Sequence, residues 1–347
     1  MNKLISIIIP TYNMQSYLRH CLDSLIVSDQ QMEFLEVIVV NDGSNDQSTV
    51  IAHEYANKYP NSFHVIDKEN GNYGSCINVG LEIATGKYVK VLDADDSFDT
   101  TNFDDYLRFL NGVDVDMIIT PYVIVDEIGN EKHYVSYYLP VNSILTWQQL
   151  TPAFKKKSLQ MHAVTYKRQN LIDINYRQTE GISYTDQEWI FTPLTAVDSA
   201  VAYPKVIYKY LVGRAGQTIS QETFKRNISH NEQCCRRVVK DYKSFGTFET
   251  YKQEYIDFKF CVTLVAMYNW YLVQYPTLDI GQLIRYDDFI KSVDASYIRL
   301  LDNQCLAYTR CHYIKRWHEN RHHRIPIPTG YRVYARLMNK LRKLYVK

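Results

Sequence analysis

The sequence has no apolar run near the roughly 20 residues that a membrane-crossing helix needs, so an integral, polymer-exporting synthase is not expected. It has no Cys-x-x-Cys. Its seven cysteines include the adjacent Cys234-Cys235 and support neither a structural zinc site nor a thioredoxin-like redox motif. Seven cysteines in 347 residues also argue against a disulfide framework and for a reducing compartment. No Gly-x-Gly-x-x-Gly or Gly-x-x-x-x-Gly-Lys-Ser/Thr follows the first apolar run, which removes the main support for a dinucleotide oxidoreductase or a P-loop NTPase. The opening Met1–Pro10 has one lysine and a short apolar run broken at Pro10. It reads as a buried strand, not a signal peptide.

What is present is globular. Hydrophobic residues make up 46% and charged residues 22%, well away from a disordered composition, and the length suits two domains. The 30 tyrosines favour partly wet, hydrogen-bonding surfaces. The net charge of +1 conceals a gradient. Residues 1–150 hold 8 Lys+Arg against 21 Asp+Glu, and residues 310–347 hold 11 against 1. An acidic half that binds an anion needs a metal cation, and a basic tail suits an anionic surface.

In the first hundred residues short apolar runs alternate with amphipathic stretches. Leu4–Ile9, Phe34–Val40, Phe63–Asp67 and Tyr88–Leu92 read as strands. Between them, three stretches read as helices: one spaced by Leu18, Cys21, Leu22, Leu25 and Ile26, one from the capping-box pattern Ser44-x-x-Gln47 to about Tyr59, and Ile77–Ala84, ended by a left-handed Gly86. Such alternation means βαβ units: an α/β fold with a mostly parallel sheet covered by helices. Met117–Val125 is a further apolar run, leading through a Gly129-Asn130 turn into a tyrosine-rich stretch that suits a hairpin. Beyond Gln221 the spacing of Val238, Val239, Tyr242 and Phe245 is helical, as is Phe258–Val273. The expected organisation is a domain over 1–220, with halves 1–115 and 116–220, and a helical C-terminal region over 221–347.

In open α/β sheets ligands sit beyond the carboxyl ends of the strands. Three strands run into polar groups there: Pro10-Thr11-Tyr12-Asn13, Asn41-Asp42-Gly43-Ser44 and Asp93-Ala94-Asp95-Asp96. Asp93 and Asp95, at i and i+2 of an extended segment, point the same way, and with phosphate oxygens they make a site for Mg²⁺ or Mn²⁺. Asp42 is placed to accept from a pyrimidine N–H, and Tyr12 to stack on the base. Singly, Asp-x-Asp-Asp is also an acidic turn and Asp42-Gly43-Ser44 a turn into a helix. Together at one sheet edge they read as a site.

Ser6–Asn13, Val40–Asp46 and Asn78 through Ala84-Thr85-Gly86-Lys87-Tyr88 to Asp96 resemble, in order and spacing, family-two glycosyltransferases of the GT-A fold, the bacterial surface-polysaccharide type. The resemblance continues through His162–Arg168, Glu180–Glu188 and Tyr210–Ser220. It implies an inverting transfer of one sugar from a nucleotide-diphospho-sugar, a UDP-sugar by default, to a hydroxyl of a glycan or lipid-linked acceptor in cell-surface polysaccharide synthesis, with Mn²⁺ or Mg²⁺ as cofactor. By position Pro10, Thr11, Tyr12 and Asp42 contact the base, Asp93 the ribose and the metal, and Asp95 the metal. Asp186 is the general base. Glu188 is its rival, because many relatives have Glu-Asp where this chain has Thr185-Asp186. Many relatives also carry an arginine before the asparagine at Asn78, where this chain has Ile77, which leaves Ser75 as the donor contact in the altered loop Gly71–Cys76. His162 is a further metal ligand or acceptor contact on one reading and a satisfied core histidine on the other. A sugar-phosphate nucleotidyltransferase and a non-catalytic sugar-binding relative are the alternatives.

Along the last segment Tyr334, Leu337, Met338, Leu341, Leu344 and Tyr345 share one helical face, beside Arg332, Arg336, Lys340, Arg342, Lys343 and Lys347. A basic amphipathic tail over 329–347 fits an interfacial helix on an anionic membrane surface, and a packed helix is its alternative. The expected location is cytoplasmic, peripheral to the inner face of the plasma membrane. No nucleic acid partner is expected. His312, His318, His322 and His323 lie among arginines and lysines and read as a solvated basic segment.

Overall fold

A computed structural model of the chain describes residues 3–214, 217, 221–275, 278–304 and 312–320, and beyond these only positions 330, 333 and 337. It falls into two compact units, Met1–Lys225 and Arg226–Lys347. The tail expected over 329–347 therefore lies, those three positions apart, outside the described residues, as do His322 and His323. No helix among the described residues is long and apolar enough to cross a membrane.

The strands, in chain order, are β1 Ile5–Thr11, β2 Leu35–Asn41, β3 Phe63–Asp67, β4 Tyr88–Val91, β5 Ser97–Phe98, β6 Met117–Ile119, β7 Tyr122–Val125, β8 Glu131–Val135, β9 Val164–Lys167, β10 Ala200–Ala202 and β11 Tyr208–Leu211. Seven form one sheet in the order β10-β6-β9-β4-β1-β2-β3. It is parallel from β4 to β3 and between β10 and β6, and antiparallel on both sides of β9. Ile5, Ile7, Ile8 and Ile9 of β1 and Leu35 and Val37–Val40 of β2 are all fully buried. A strand covered on both faces is written as a continuous apolar run, which is why these were readable. A second sheet, β5-β11-β7-β8, contains the expected hairpin, with Gly129 at φ +82° between β7 and β8.

Two local expectations are corrected. The helix after β2 is Ser48–Lys58, and no Ser44/Gln47 capping box opens it. The Ser44 hydroxyl instead accepts from Asn13 N, and Asp46 Oδ1 accepts from Ser48 N at 2.9 Å. Gly86 is not left-handed. A Cβ there would lie 2.5 Å from Ser6 N, so glycine is needed for close approach to β1.

The second unit is helical, with Ile228–Ser244, Thr250–Asn269, Ile280–Val293, Ser296–Asp302 and Tyr313–Glu319. Here the solvated reading fails for His318. Its Nε2 pairs with the fully buried Asp287 at 2.8 Å and its Nδ1 with Asp302 at 2.6 Å, so the ring joins three helices. Burial lowers the imidazole pKa, but the bonds to Asp287 and Asp302 outweigh it and the net shift is upward. A raised histidine stabilises fully below the unfolded value, about 6.5, and loses that contribution as pH rises through the folded value. The melting temperature of the second unit should therefore fall with rising pH on the alkaline side of 6.5. His318→Gln should flatten that fall, and an unchanged slope would refute the clamp.

Candidate active site

β1, β2 and β4 end side by side, and a cleft of about 400 Å³ opens at that edge. Pro10, Thr11 and Tyr12, Asp42 and Asp93 line it from the three strand ends, and His162 and Asp186 line it from later in the chain. Ser75, Asp95 and Glu188 are not in its wall.

Asp42 is nearly buried and held in place. Its Oδ1 accepts from Lys68 Nζ at 2.7 Å and from Gly71 N at 2.9 Å, and Asn70 donates to its carbonyl at 2.9 Å. The Ser75 hydroxyl lies behind this pair, accepting from Lys68 at 3.0 Å and donating to the Asn72 carbonyl at 2.7 Å. Ser75 is linked to the cleft indirectly, through Lys68 and Asp42 and through Asn72.

The Asp93–Asp96 segment departs from the extended geometry assumed above. β4 stops at Val91, and Asp96 N donates to the Asp93 carbonyl at 2.9 Å, so the backbone turns. Asp95 goes outward to an ion pair with Arg214 at 2.5 Å, and the guanidinium lies 5.4 Å from the Tyr17 ring. Asp96 returns beside Asp93. It is buried, accepting from Tyr208 Oη at 2.5 Å and Leu211 N at 2.7 Å, while Asp93 accepts from Tyr73 Oη at 2.7 Å. One ligand atom each of Asp93, Asp96 and His162 lie within 4.8 Å of one another.

The electrostatics of this cluster suit a cation. Desolvation and then the Asp95 charge push Asp93 up to about 7, and desolvation, Asp95 and Asp93 push Asp96 well above the carboxylate range. His162 is buried but not satisfied: Nδ1 has no hydrogen-bond partner among the described residues. Burial and then the charge of Lys90 push its pKa down to about 3, which leaves a neutral imidazole with a lone pair to give. The ring stacks on Tyr210 at 4.2 Å and meets Tyr208 edge-on at 4.8 Å. Its backbone is fixed by the fully buried Lys90, which donates to the His162 carbonyl at 2.7 Å and the Val164 carbonyl at 3.0 Å. Two crowded carboxylates and an imidazole nitrogen with no partner fit a divalent ion.

Asp186 begins the single helical turn Asp186–Trp189 and is half-buried on the cleft wall. Trp189 anchors that turn edge-on against Tyr166 and Tyr176. The approach contains Gly181 at φ +79° and Tyr184 at φ +71°. A Cβ on Gly74 would lie 2.1 Å from the Thr179 carbonyl oxygen, so glycine lets the loop before Asp186 pack on the helix Asn72–Ile83. Glu188 is buried and accepts from Thr179 N at 2.8 Å, a contact that shapes this loop from behind. Tyr73, Asp96, Tyr184 and Tyr210 were not singled out from the sequence. Asp96 had a signal in its place in the Asp-x-Asp-Asp run, and Tyr184 and Tyr210 lay within the resembling segments Glu180–Glu188 and Tyr210–Ser220.

Residues 6–172 match the family model described as glycosyl transferase family 2. Over 106 residues the chain is 40% identical to the minor teichoic acid biosynthesis protein GgaB of Bacillus subtilis (strain 168), covering 30% of this chain and 12% of GgaB. Over 239 residues it is 29% identical to the uncharacterized glycosyltransferase YibD of Escherichia coli (strain K12), covering 66% of this chain and 67% of YibD. The chain thus spans only a small part of GgaB's length. In fold it is similar to S. aureus TarS 1-349 in complex with UDP-GlcNAc, with a TM-score of 0.68 and 20% identity over 92% of this chain and 89% of that one.

Proposed function

Because residues 6–172 match the family model described as glycosyl transferase family 2, we propose that the chain is an inverting glycosyltransferase. It moves one sugar from a nucleotide-diphospho-sugar, a UDP-sugar by default, to a hydroxyl of a glycan or lipid-linked acceptor in cell-surface polysaccharide synthesis. The observation that carries this reading is the meeting of Asp42, the Asp93–Asp96–His162 cluster and Asp186 in one cleft. The relatives agree with it: GgaB is named for minor teichoic acid biosynthesis, and TarS was crystallised with UDP-GlcNAc.

The donor base lies against Pro10, Thr11 and Tyr12, with Asp42 accepting from its N–H. Asp93, Asp96 and His162 hold a divalent cation, Mn²⁺ or Mg²⁺, which when bound neutralises the charge of the departing diphosphate. Asp186 accepts the proton of the acceptor hydroxyl as its oxygen bonds to the donor's anomeric carbon from the face opposite the leaving group. The bond from that carbon to the β-phosphate oxygen breaks, and the nucleoside diphosphate leaves with its electron pair.

Incubation with α-linked UDP-sugars and an acceptor in the presence of Mn²⁺ should release UDP and give a product whose anomeric proton has the β coupling constant by NMR. An α product would refute the single displacement.

A further inference from the structure

The charges lining the cleft narrow the acceptor. Asp42, Asp93 and Asp186 line the cleft, and no lysine or arginine does so among the described residues. The nearby cations are engaged elsewhere: Lys68 with Asp42, Arg214 with Asp95, and Lys90 with two backbone carbonyls. Only the donor's diphosphate has a counter-charge there, through the bound cation. A second phosphate group beside the reacting hydroxyl would meet Asp186 with no cation to offset it.

The wall beside Asp186 is instead aromatic. Tyr184 and Tyr210 both line it. Tyr184 stands two residues before Asp186 at φ +71°, a conformation that bulky residues rarely adopt and that asparagine tolerates. Its ring packs edge-on against Phe224 at 5.9 Å. Such a ring offers an apolar face to the C–H side of a pyranose.

We infer that the acceptor presents an uncharged sugar ring to Asp186, and that Tyr184 is the platform on which that ring lies. This rests on the glycosyltransferase reading above and specifies its acceptor as a neutral glycoside end, not a polyol phosphate.

The test is steady-state kinetics with neutral alkyl hexosides and with ribitol phosphate or glycerol phosphate oligomers as acceptors. The hexosides should be the better substrates. Tyr184→Asn, which suits the left-handed backbone, should raise the hexoside KM by about tenfold while the calorimetric Kd for UDP plus Mn²⁺ stays within about twofold. Tyr184→Phe should restore the hexoside KM. Preference for the polyol phosphates, or an unchanged hexoside KM in Tyr184→Asn, would overturn the inference while leaving the transferase reading intact. A protein that releases no nucleoside diphosphate from any donor would overturn both.

Discussion

Asp186→Asn should lower kcat by about a thousandfold while leaving the affinity for UDP plus Mn²⁺ unchanged, because general-base catalysis contributes about 10²–10⁴-fold. The substitution keeps the shape of the side chain and removes its charge and its capacity to take a proton. Donor binding is assigned to other groups, Asp42 just after β2 and the cluster after β4, so the nucleotide should not register the change. A thousandfold loss in kcat corresponds to about 4 kcal/mol of transition-state stabilisation. Glu188 separates the base from its neighbours. It is buried and bonded to Thr179 N, so Glu188→Gln should lower the melting temperature and leave kcat of the folded protein close to the wild-type value. Full activity in Asp186→Asn with collapse in Glu188→Gln would reverse the assignment.

Asp93→Asn should weaken Mn²⁺ binding by about 100-fold or more, since loss of groups that merely support metal ligands already costs about 10–100-fold. The substitution leaves an oxygen able to accept from Tyr73, so the local geometry should survive. A second readout has the opposite sign. Asp93 is raised to about 7, so the metal-free protein gains stability from its protonation below about 4 and loses it as pH rises through 7. In the presence of EDTA at alkaline pH, Asp93→Asn should therefore melt higher than the wild type, although Mn²⁺ stabilises it less. On the proposed reading the cluster would hold a cation that offsets its repulsion, which sets activity against stability at this residue. A lower melting temperature for Asp93→Asn in EDTA would mean that the carboxylate is an ordinary structural contact.

How much of this was legible in the sequence depended on whether a feature was set locally. β1 to β4 fell on the apolar runs because strands covered on both faces carry their burial in the sequence itself. Asp42 and Asp93 were legible because the strand ends fix where a following carboxylate emerges. That Asp96, and not Asp95, lies beside Asp93 and His162 was not. It depends on a turn held by Tyr208 and Leu211, which lie 112 and 115 residues further along the chain. His162 was ambiguous for the same reason: its lone pair matters only because the turn Met161–Ala163, tied to Lys90, sets it beside carboxylates from another strand. Tyr73 lies in the first turn of the helix Asn72–Ile83, in a stretch that reads in sequence as the loop Gly71–Cys76, so position gave no guide to its bond with Asp93. In the second unit the His318 clamp joins Asp287 and Asp302 from separate helices, and charge counting had placed the residue in solvent.

The roles proposed for the cleft residues all depend on its holding a nucleoside diphosphate through a cation, and calorimetric titration of UDP into the wild-type protein with Mn²⁺ or with EDTA measures that directly. The proposed function predicts saturable binding with Mn²⁺ that is at least about tenfold weaker in EDTA, a difference of about 1.4 kcal/mol. Equal affinity in the two conditions would contradict it.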